Sequence, residues 1–443
     1  MAFTDSLETL NEEEKRRSRD RLSVLKARHH RKWWLLLWFL SGPGILVMLG
    51  ENDAPSMLSY AATGSQFGIG FFLPFVMLTF ALAFIAQEMT VRLGAVSKAG
   101  HAELIYRRFG RFWGNFAMID LLATNLMTLI TEFVGIVAGA GYFGIPPAAA
   151  VIGAVGLIAV AVLSRRYWRW ERITMALALV NLVFIPVAFL THPDWLMVGR
   201  AFLTWRPLPG GMNTNTVIIL LADIGATITP WMLFFQQGAV TDKGLSVHDI
   251  RHGRWDTALG ALLATLAAMG AIIATAPLYL HHMNAGQFGA AQFAQALVPY
   301  AGRVGAGLFA LGVLEAGLVA SITIATSSAY AFGEVTGTAH SLNRPFKEAP
   351  AFYGILLLVA LISGAVVLIP GFPLEMVVII VNVVAVLTMP PAIGFLLLLA
   401  NDREIMRGHQ NTRLLNALGI GVGVFISLAG VLYALTVVFP QWF

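Results

Sequence analysis

The sequence contains no cysteine and little charge. Charged residues make up 12% of its 443 residues, whereas soluble globular proteins carry roughly 25%. The lack of cysteine excludes a disulfide framework, a thiolate metal site and an iron–sulfur cluster. The shortage of charge, together with a hydrophobic content of 57%, excludes a soluble enzyme and a disordered chain.

Long apolar runs dominate the chain instead. A membrane-spanning helix needs about 20 mostly apolar residues, and about eleven runs meet this length. We therefore expect an all-α polytopic membrane protein with one transmembrane domain over residues 33–443. The runs centre near Leu46, Leu78, Met127, Val155, Leu179, Ile224, Leu266, Leu314, Val359, Val384 and Gly423.

Basic residues lie in alternate loops between these runs. Arg107, Lys243 and Arg403 lie in three basic loops, whereas the loops at 63–68 and 141–147 contain almost no Lys or Arg. Cytoplasmic loops carry the excess of Lys and Arg. We expect a protein of the plasma membrane, or the bacterial inner membrane, with a cytoplasmic N terminus and an extracytoplasmic C terminus. This pattern explains the net charge of +5 better than binding to nucleic acid does.

The first 32 residues are polar and basic. They are too long and too charged for the start of a signal peptide, and no small-residue cleavage site follows them. We expect residues 1–32 to form a retained cytoplasmic segment, part of which is an amphipathic helix on anionic lipid.

Proline and polar residues interrupt the first and the sixth apolar run. The first run contains GENDAPS at 50–56, and the sixth contains DIGATITP at 223–230. Non-helical backbone at membrane depth is tolerated only where it is buried in protein or lines a cavity. Paired interruptions in two halves indicate the central site of a transporter. Their interval predicts two inverted five-helix repeats plus one extra helix, with helices 1 and 6 broken.

Acidic residues, but no central basic ones, lie inside the apolar runs. Each costs a few kcal/mol on insertion scales. Without basic partners, these acids must be protonated or meet a mobile cation. We favour a functional role for Asp53, beside a helix break, and a protonated, structural role for Asp120, near the end of a run. The full set is Glu51, Asp53, Asp120, Glu132, Asp223 and Glu315.

Histidine is missing from the apolar runs, since all ten histidines lie outside them. No imidazole is therefore placed for an intramembrane proton relay or as a soft-metal ligand, and an intramembrane protease or other enzyme is not expected. Carboxylate, carbonyl, hydroxyl and amide oxygens remain, and these suit a hard cation such as Mg²⁺, Mn²⁺ or Ca²⁺.

Several motifs resemble the Nramp family of divalent-metal transporters, and the resemblance covers nearly the whole chain after the basic segment. It implies the inverted-repeat, LeuT-type fold with eleven helices. The motifs are GPG at 42–44 and GSQFG at 64–68 on either side of Asp53, RLG at 92–94, EFVG at 132–135, FGIP at 143–146, and LFALG at 308–312 followed by Ala316-Gly317.

The sequence departs from the family at the expected metal site. The family's Asp-Pro-Gly-Asn is here Asp53-Ala54-Pro55-Ser56, so that a serine replaces the ligating Asn. In the sixth run Ala226 is retained, whereas Thr229 replaces the ligating Met. Losing this sulfur removes the preference for soft ions. Four further family residues are replaced: Trp231 and Gln236 stand for His, Leu129 for a proton-linked Asp, and Asn382 for Gln. The family usually has uncharged residues at the positions of Glu51, Asn52, Asp223 and Glu315, and the three acids among them add negative charge.

We expect an alternating-access transporter of divalent cations, Mg²⁺ with Mn²⁺ accepted, with weak or no proton coupling. Bacterial Nramp-related magnesium transporters also lack the Met. Alternative substrates are an organic cation or amino acid, or a trivalent ion such as Al³⁺. A plant branch of the family carries Al³⁺. No cofactor and no obligatory protein partner are expected beyond the ion and the bilayer. The expected metal ligands are Asp53, Ala54, Ser56, Ala226, Thr229 and Asn382; Glu51, Asn52, Asp223 and Glu315 would attract cations, and Glu132 would carry a proton.

Overall fold

The computed structural model describes residues 42–162, 166–281, 288–371 and 374–439. The expected N-terminal segment, 1–32, lies outside the described residues. Within the described ranges all regular structure is helical, which confirms the all-α prediction. The α-helices are α1 (Pro43–Glu51), α2 (Ala54–Phe67), α3 (Phe72–Ser97), α4 (His101–Phe109), α5 (Arg111–Tyr142), α6 (Pro147–Val162), α7 (Tyr167–Ala178), α8 (Phe184–Leu190), α9 (Trp195–Thr204), α10 (Thr214–Gly225), α11 (Pro230–Lys243), α12 (Ile250–Leu280), α13 (Ala290–Thr336), α14 (Pro350–Val367), α15 (Leu374–Asn401), α16 (Arg403–Met406) and α17 (Arg413–Val438).

The helices account for the predicted apolar runs. In the described ranges, nine helical stretches are long and apolar enough to cross a membrane. One of them joins α7 and α8 through a 3₁₀ helix at Leu179–Val183, and another joins α10 and α11. The interrupted pair α1–α2 and the shorter α6 supply the remaining runs. The 47-residue α13 is two helices joined at Gly302, whose φ of +68° only glycine adopts without strain.

The two prolines at the breaks begin new helices. Pro55 lies in the first turn of α2, and Pro230 is the first residue of α11. Neither proline leaves a helical carbonyl unpaired, because the N–H groups at a helix start have no intrahelical partner. The structure confirms the two predicted breaks, and each proline begins the helix that follows the break.

Small residues allow the inner helices to approach closely. A Cβ on Gly64 of α2 would lie 2.2 Å from the Ile272 carbonyl oxygen of α12. A Cβ on Gly135 of α5 would lie 2.2 Å from the Ala54 Cβ, at the start of α2. Such contacts are typical of helix packing in membranes. The outer surface is apolar, and Ile152 and Leu203 are 71% and 87% exposed. The chain is a multi-pass membrane protein.

Candidate functional site

Asp53 lies at the first break and caps α2. Its Oδ1 accepts a 2.9 Å hydrogen bond from the Ser56 backbone N–H. Asp53 and Ser56 are each 1% exposed, so both lie in the protein interior. The positive end of the α2 dipole stabilises this carboxylate. The structure therefore brings together two of the sequence-predicted ligands, on one turn of helix.

Glu51 joins the first break to the second. Thr229, which precedes α11, donates a 2.7 Å hydrogen bond from its hydroxyl to Glu51 Oε2. Trp231 lies beside the same carboxylate. Sequence reasoning placed Glu51 at a distance from the ion and Thr229 against it, but the two side chains are in direct contact.

Further contacts hold the second break against α2 and α15. The Tyr60 hydroxyl donates a 2.9 Å hydrogen bond to the Ala226 carbonyl oxygen. Asn382 of α15 donates a 3.0 Å hydrogen bond from Nδ2 to Ser59 Oγ. A Cβ on Gly225 would lie only 2.0 Å from the Asn382 carbonyl oxygen. Ala226 and Asn382 therefore lie at the junction of α2, α10 and α15.

Glu132 of α5 approaches the break from the other side. Its Oε2 accepts a 3.1 Å hydrogen bond from the Ala54 backbone N–H. Its carboxylate also lies beside that of Asp53. The expected proton carrier is thus adjacent to the expected principal ligand. Ala54 is fully buried, and its N–H group is used by Glu132.

Three other predicted residues lie in separate surroundings. Asp223 accepts 3.0 Å hydrogen bonds from the Thr63 hydroxyl. Asn52 donates from Nδ2 to Asn181 Oδ1 and to the Ala264 carbonyl oxygen, at 3.1 and 2.8 Å. Glu315 lies beside Asn181. Asn52 and Glu315 thus share the neighbour Asn181, whereas Asp223 contacts Thr63 instead, and the assignment of all three as cation-attracting residues remains a prediction.

Unpartnered oxygens mark the part of the site that could bind a ligand. In the described ranges, Glu51 Oε1, Ser56 Oγ and Glu132 Oε1 are buried without a hydrogen-bond partner. Buried polar atoms normally have one, and a cation or its water shell would satisfy acceptors of this kind. The described residues hold no group of three or more His, Asp and Glu side chains arranged to bind one metal ion. An ion here would therefore need neutral oxygens as well as carboxylates.

Sequence reasoning did not find Ser59, Tyr60 or Asn181. Ser59 and Tyr60 follow the first break by about two helical turns, so a search for polar side chains within two turns of each break would have found them. Asn181 lies in an otherwise apolar run, where a lone amide was the only available signal.

Residues 44–436 match the family described as "Natural resistance-associated macrophage protein-like", or Nramp. The chain belongs to the Nramp family. It is 26% identical over 415 residues to the divalent metal cation transporter MntH of Mycobacterium tuberculosis (strain CDC 1551 / Oshkosh), an alignment that covers 89% of this chain and 91% of that one.

Two solved structures show the same fold as this Nramp member. The manganese transporter of Eremococcus coleocola, in complex with an aromatic bis-isothiourea compound, superimposes with a TM-score of 0.73 at 21% identity, covering 90% of this chain and 86% of that one. MhsT in complex with L-phenylalanine gives a TM-score of 0.56 at 15% identity, covering 89% and 97%. These likenesses confirm the inverted-repeat, LeuT-type fold.

Proposed function

We propose that this Nramp member is a transporter of hard divalent cations, with Mg²⁺ as the main substrate and Mn²⁺ accepted. The observation that carries this proposal is the oxygen-only set of side chains at the two helix breaks. Asp53, Ser56 and Thr229 lie there, and a threonine hydroxyl stands where the family has a thioether. Carboxylate, hydroxyl and carbonyl oxygens suit Mg²⁺ and Mn²⁺, whereas sulfur favours softer ions.

In this proposal Asp53 anchors the ion or its water shell. Ser56, Thr229 and Asn382, with the carbonyl groups of Ala54 and Ala226, supply the other oxygens. In the described conformation the Tyr60 hydroxyl occupies the Ala226 carbonyl oxygen, and the Asn382–Ser59 contact fixes the orientation of the Asn382 amide. Because these contacts join α2 to α10 and α15, exchanging them for contacts with the ion would couple ion binding to helix movement, as alternating access requires.

Residues around the ligands would attract the ion and balance its charge. Glu51 and Glu132 each keep one unpartnered buried oxygen near the first break. Asp223 and Glu315 would add negative potential from farther away. We propose weak or no proton coupling, with Glu132 as the candidate carrier of any proton. An inside-negative potential favours entry by about 2.3 kcal/mol per charge per 100 mV.

We place the protein in the plasma membrane, or the bacterial inner membrane, with its N terminus in the cytoplasm. The alternation of basic loops supports this orientation. It puts the α4 and α16 ends of the molecule, where Arg108 is paired with Asp402, on the cytoplasmic side.

One observation favours a second substrate class. The carboxylates of Glu51, Asp53 and Glu132 all lie at the first break. If all three are ionised, their summed charge would attract a trivalent hard cation such as Al³⁺ more strongly than a divalent one, without all three binding the ion directly. Competition between Al³⁺ and Mg²⁺ for binding decides between the two classes.

Calorimetry on the purified protein tests the main proposal, with Mg²⁺, Mn²⁺ and Ca²⁺ at constant ionic strength. We expect Mg²⁺ and Mn²⁺ to bind the wild type and to lose that binding in Asp53→Ala. Asp120→Ala is the matched control, because Asp120 is a half-buried carboxylate on α5 that is not part of this site. A folded wild type that binds no divalent ion would contradict the proposal and direct the search to organic and trivalent cations.

A further inference from the structure

Glu315, on α13, is buried without a hydrogen bond to either carboxylate oxygen. The residue is 4% exposed, and Oε1 and Oε2 both lack a partner among the described residues. In sequence, α13 contains no Lys or Arg after Arg303, and α12 contains none after Arg254. A bare carboxylate in such surroundings is costly, and buried charges are normally paired or bound to an ion.

Asn181 links Glu315 to Asn52. The Asn181 side chain lies beside the carboxylate. It also exchanges hydrogen bonds with Asn52, accepting from Asn52 Nδ2 at 3.1 Å and donating to the Asn52 carbonyl oxygen at 2.9 Å. The Asn52 Oδ1 atom is buried and has no partner among the described residues. The cluster Glu315–Asn181–Asn52 therefore contains three unpartnered acceptor oxygens.

Irregular backbone meets the cluster from two sides. Asn181 lies in the 3₁₀ helix at Leu179–Val183, in the middle of a membrane span. Asn52 lies in the break between α1 and α2, where its ψ is 51°. A short 3₁₀ stretch inside a longer helix often marks a functional hinge. Irregular backbone at this depth indicates a buried polar site.

Close helix packing holds these elements around Glu315. One turn before it on α13, a Cβ on Gly312 would lie 2.7 Å from Val183 Cγ1. Two residues after it, a Cβ on Gly317 would lie 3.4 Å from the Ala54 Cβ, beside the first break. The same stretch of α13 therefore packs on the 3₁₀ helix and on the break, and Glu315 lies between these two contacts.

We propose that Glu315, Asn181 and Asn52 form a second cation site, distinct from the site at Asp53, for a monovalent hard cation such as Na⁺. A single proton on Glu315 would form one hydrogen bond and satisfy at most two of the three acceptors, whereas a cation bound between the side chains would satisfy all three. Carboxylate and amide oxygens are ligands of hard cations. The cluster contains one carboxylate, so one positive charge neutralises it and a divalent ion would leave an excess.

Occupation of this site affects the first break directly. The ion draws Asn52 and Glu315 towards a common centre and thereby fixes the backbone that precedes Asp53. Binding at the two sites is then coupled, and the coupling is reciprocal. The second site does not require that the cation at Asp53 be Mg²⁺.

Thermal unfolding of the purified full chain tests the site. Samples contain NaCl, LiCl, KCl or choline chloride at matched ionic strength and fixed pH, without divalent ions. We expect a saturable rise in Tm of about 2 °C or more in NaCl relative to choline chloride, because a ligand bound only to the folded state stabilises it. The rise should disappear in Glu315→Gln and remain in Asp120→Asn.

Two further variants test whether the rise in Tm comes from this site. Asn181→Ala should also abolish the rise, and it serves if Glu315→Gln does not fold. Asp53→Ala should keep the rise, which separates this site from the proposed divalent site. Equal Tm values in all four salts, or a rise that survives in Glu315→Gln or Asn181→Ala, would overturn the proposal.

Discussion

Thr229 donates a 2.7 Å hydrogen bond from its hydroxyl to Glu51 Oε2. This contact links the residue just before α11 to the last residue of α1, and so it joins the breaks of the two interrupted helices. Glu51 is fully buried and Thr229 is 3% exposed. A change at position 229 therefore alters both the ligand chemistry of the site and the partner of a buried carboxylate.

Thr229→Met should shift the ion preference from hard to soft cations. The thioether adds a soft donor to the site and removes the hydroxyl that binds Glu51. We expect the ratio of Cd²⁺ to Mg²⁺ affinity, measured by calorimetry, to rise by about tenfold, or about 1.4 kcal/mol. Thr229→Val is the control, because it removes the hydroxyl without adding sulfur. Equal affinity ratios in the two variants would contradict this explanation.

Gly225→Ala should destabilise the junction of α10 and α15. The added Cβ would lie 2.0 Å from the Asn382 carbonyl oxygen, which is backbone and cannot rotate away. Overpacking of this kind costs about 1–3 kcal/mol, and we expect a lower Tm together with weaker ion binding. The control is Gly156→Ala on α6, where a Cβ meets nothing within 4 Å. If both variants unfold at the wild-type temperature, α10 and α15 do not pack as closely at Gly225 as this prediction requires.

Asp256→Ala should loosen the end of α1 that we place on the cytoplasmic side. Asp256 accepts hydrogen bonds of 2.9 and 2.7 Å from the N–H groups of Gly42 and Gly44, at the start of α1. Losing a carboxylate cap costs about 0.5–2 kcal/mol. Because the chain lacks cysteine, Ser327→Cys supplies a single thiol. This position is fully buried, and its hydroxyl contacts the Trp231 carbonyl oxygen.

We expect a polar thiol reagent to modify the thiol at position 327 several-fold faster in the Asp256→Ala background. Asp256→Asn retains an acceptor oxygen and should restore slow modification. Unchanged rates in all three backgrounds would show that the cap does not control access to this part of the interior.

His101 predicts a pH dependence of stability. His101 is the first residue of the short helix α4, which connects the spans α3 and α5. Its Nδ1 is 2.9 Å from Gln237 Oε1 on α11, and burial of the ring lowers its pKa to about 4. In the unfolded chain the pKa is about 6.5. Between these two values the unfolded state binds more protons, so stability falls as the pH falls from about 6.5 towards 4. Above about 6.5 the ring is neutral in both states and the contribution is constant.

His101→Gln should reduce this acid sensitivity. Acidification from pH 6.5 to 5 removes at most about 2 kcal/mol of stability through this ring, and the variant lacks that loss. The measurement is the difference in Tm between pH 7 and pH 5, determined for the wild type and for the variant. Comparing the two differences cancels the contribution of the other titrating groups. Identical differences would exclude His101 as the cause.

The breaks were predictable because their signals are local. Proline, glycine and acids inside an apolar run conflict with a continuous helix at any position in the fold, and the structure interrupts the helices at 52–53 and 226–229. The grouping of the acids was not predictable. Asp223 pairs with Thr63 and Glu315 lies beside Asn181, although both were expected to act with Glu51.

The sequence by itself determined the membrane location, the apolar runs, the two interruptions and the resemblance to the Nramp family. The tertiary structure alone decided which polar side chains meet, such as Glu51 with Thr229 and Asn52 with Asn181. The physical reason is that these helices are apolar on all sides, because they face either lipid or other helices. Without a polar face, the sequence does not specify the rotation of each helix about its axis. That rotation is set by close contacts such as Gly225 against Asn382.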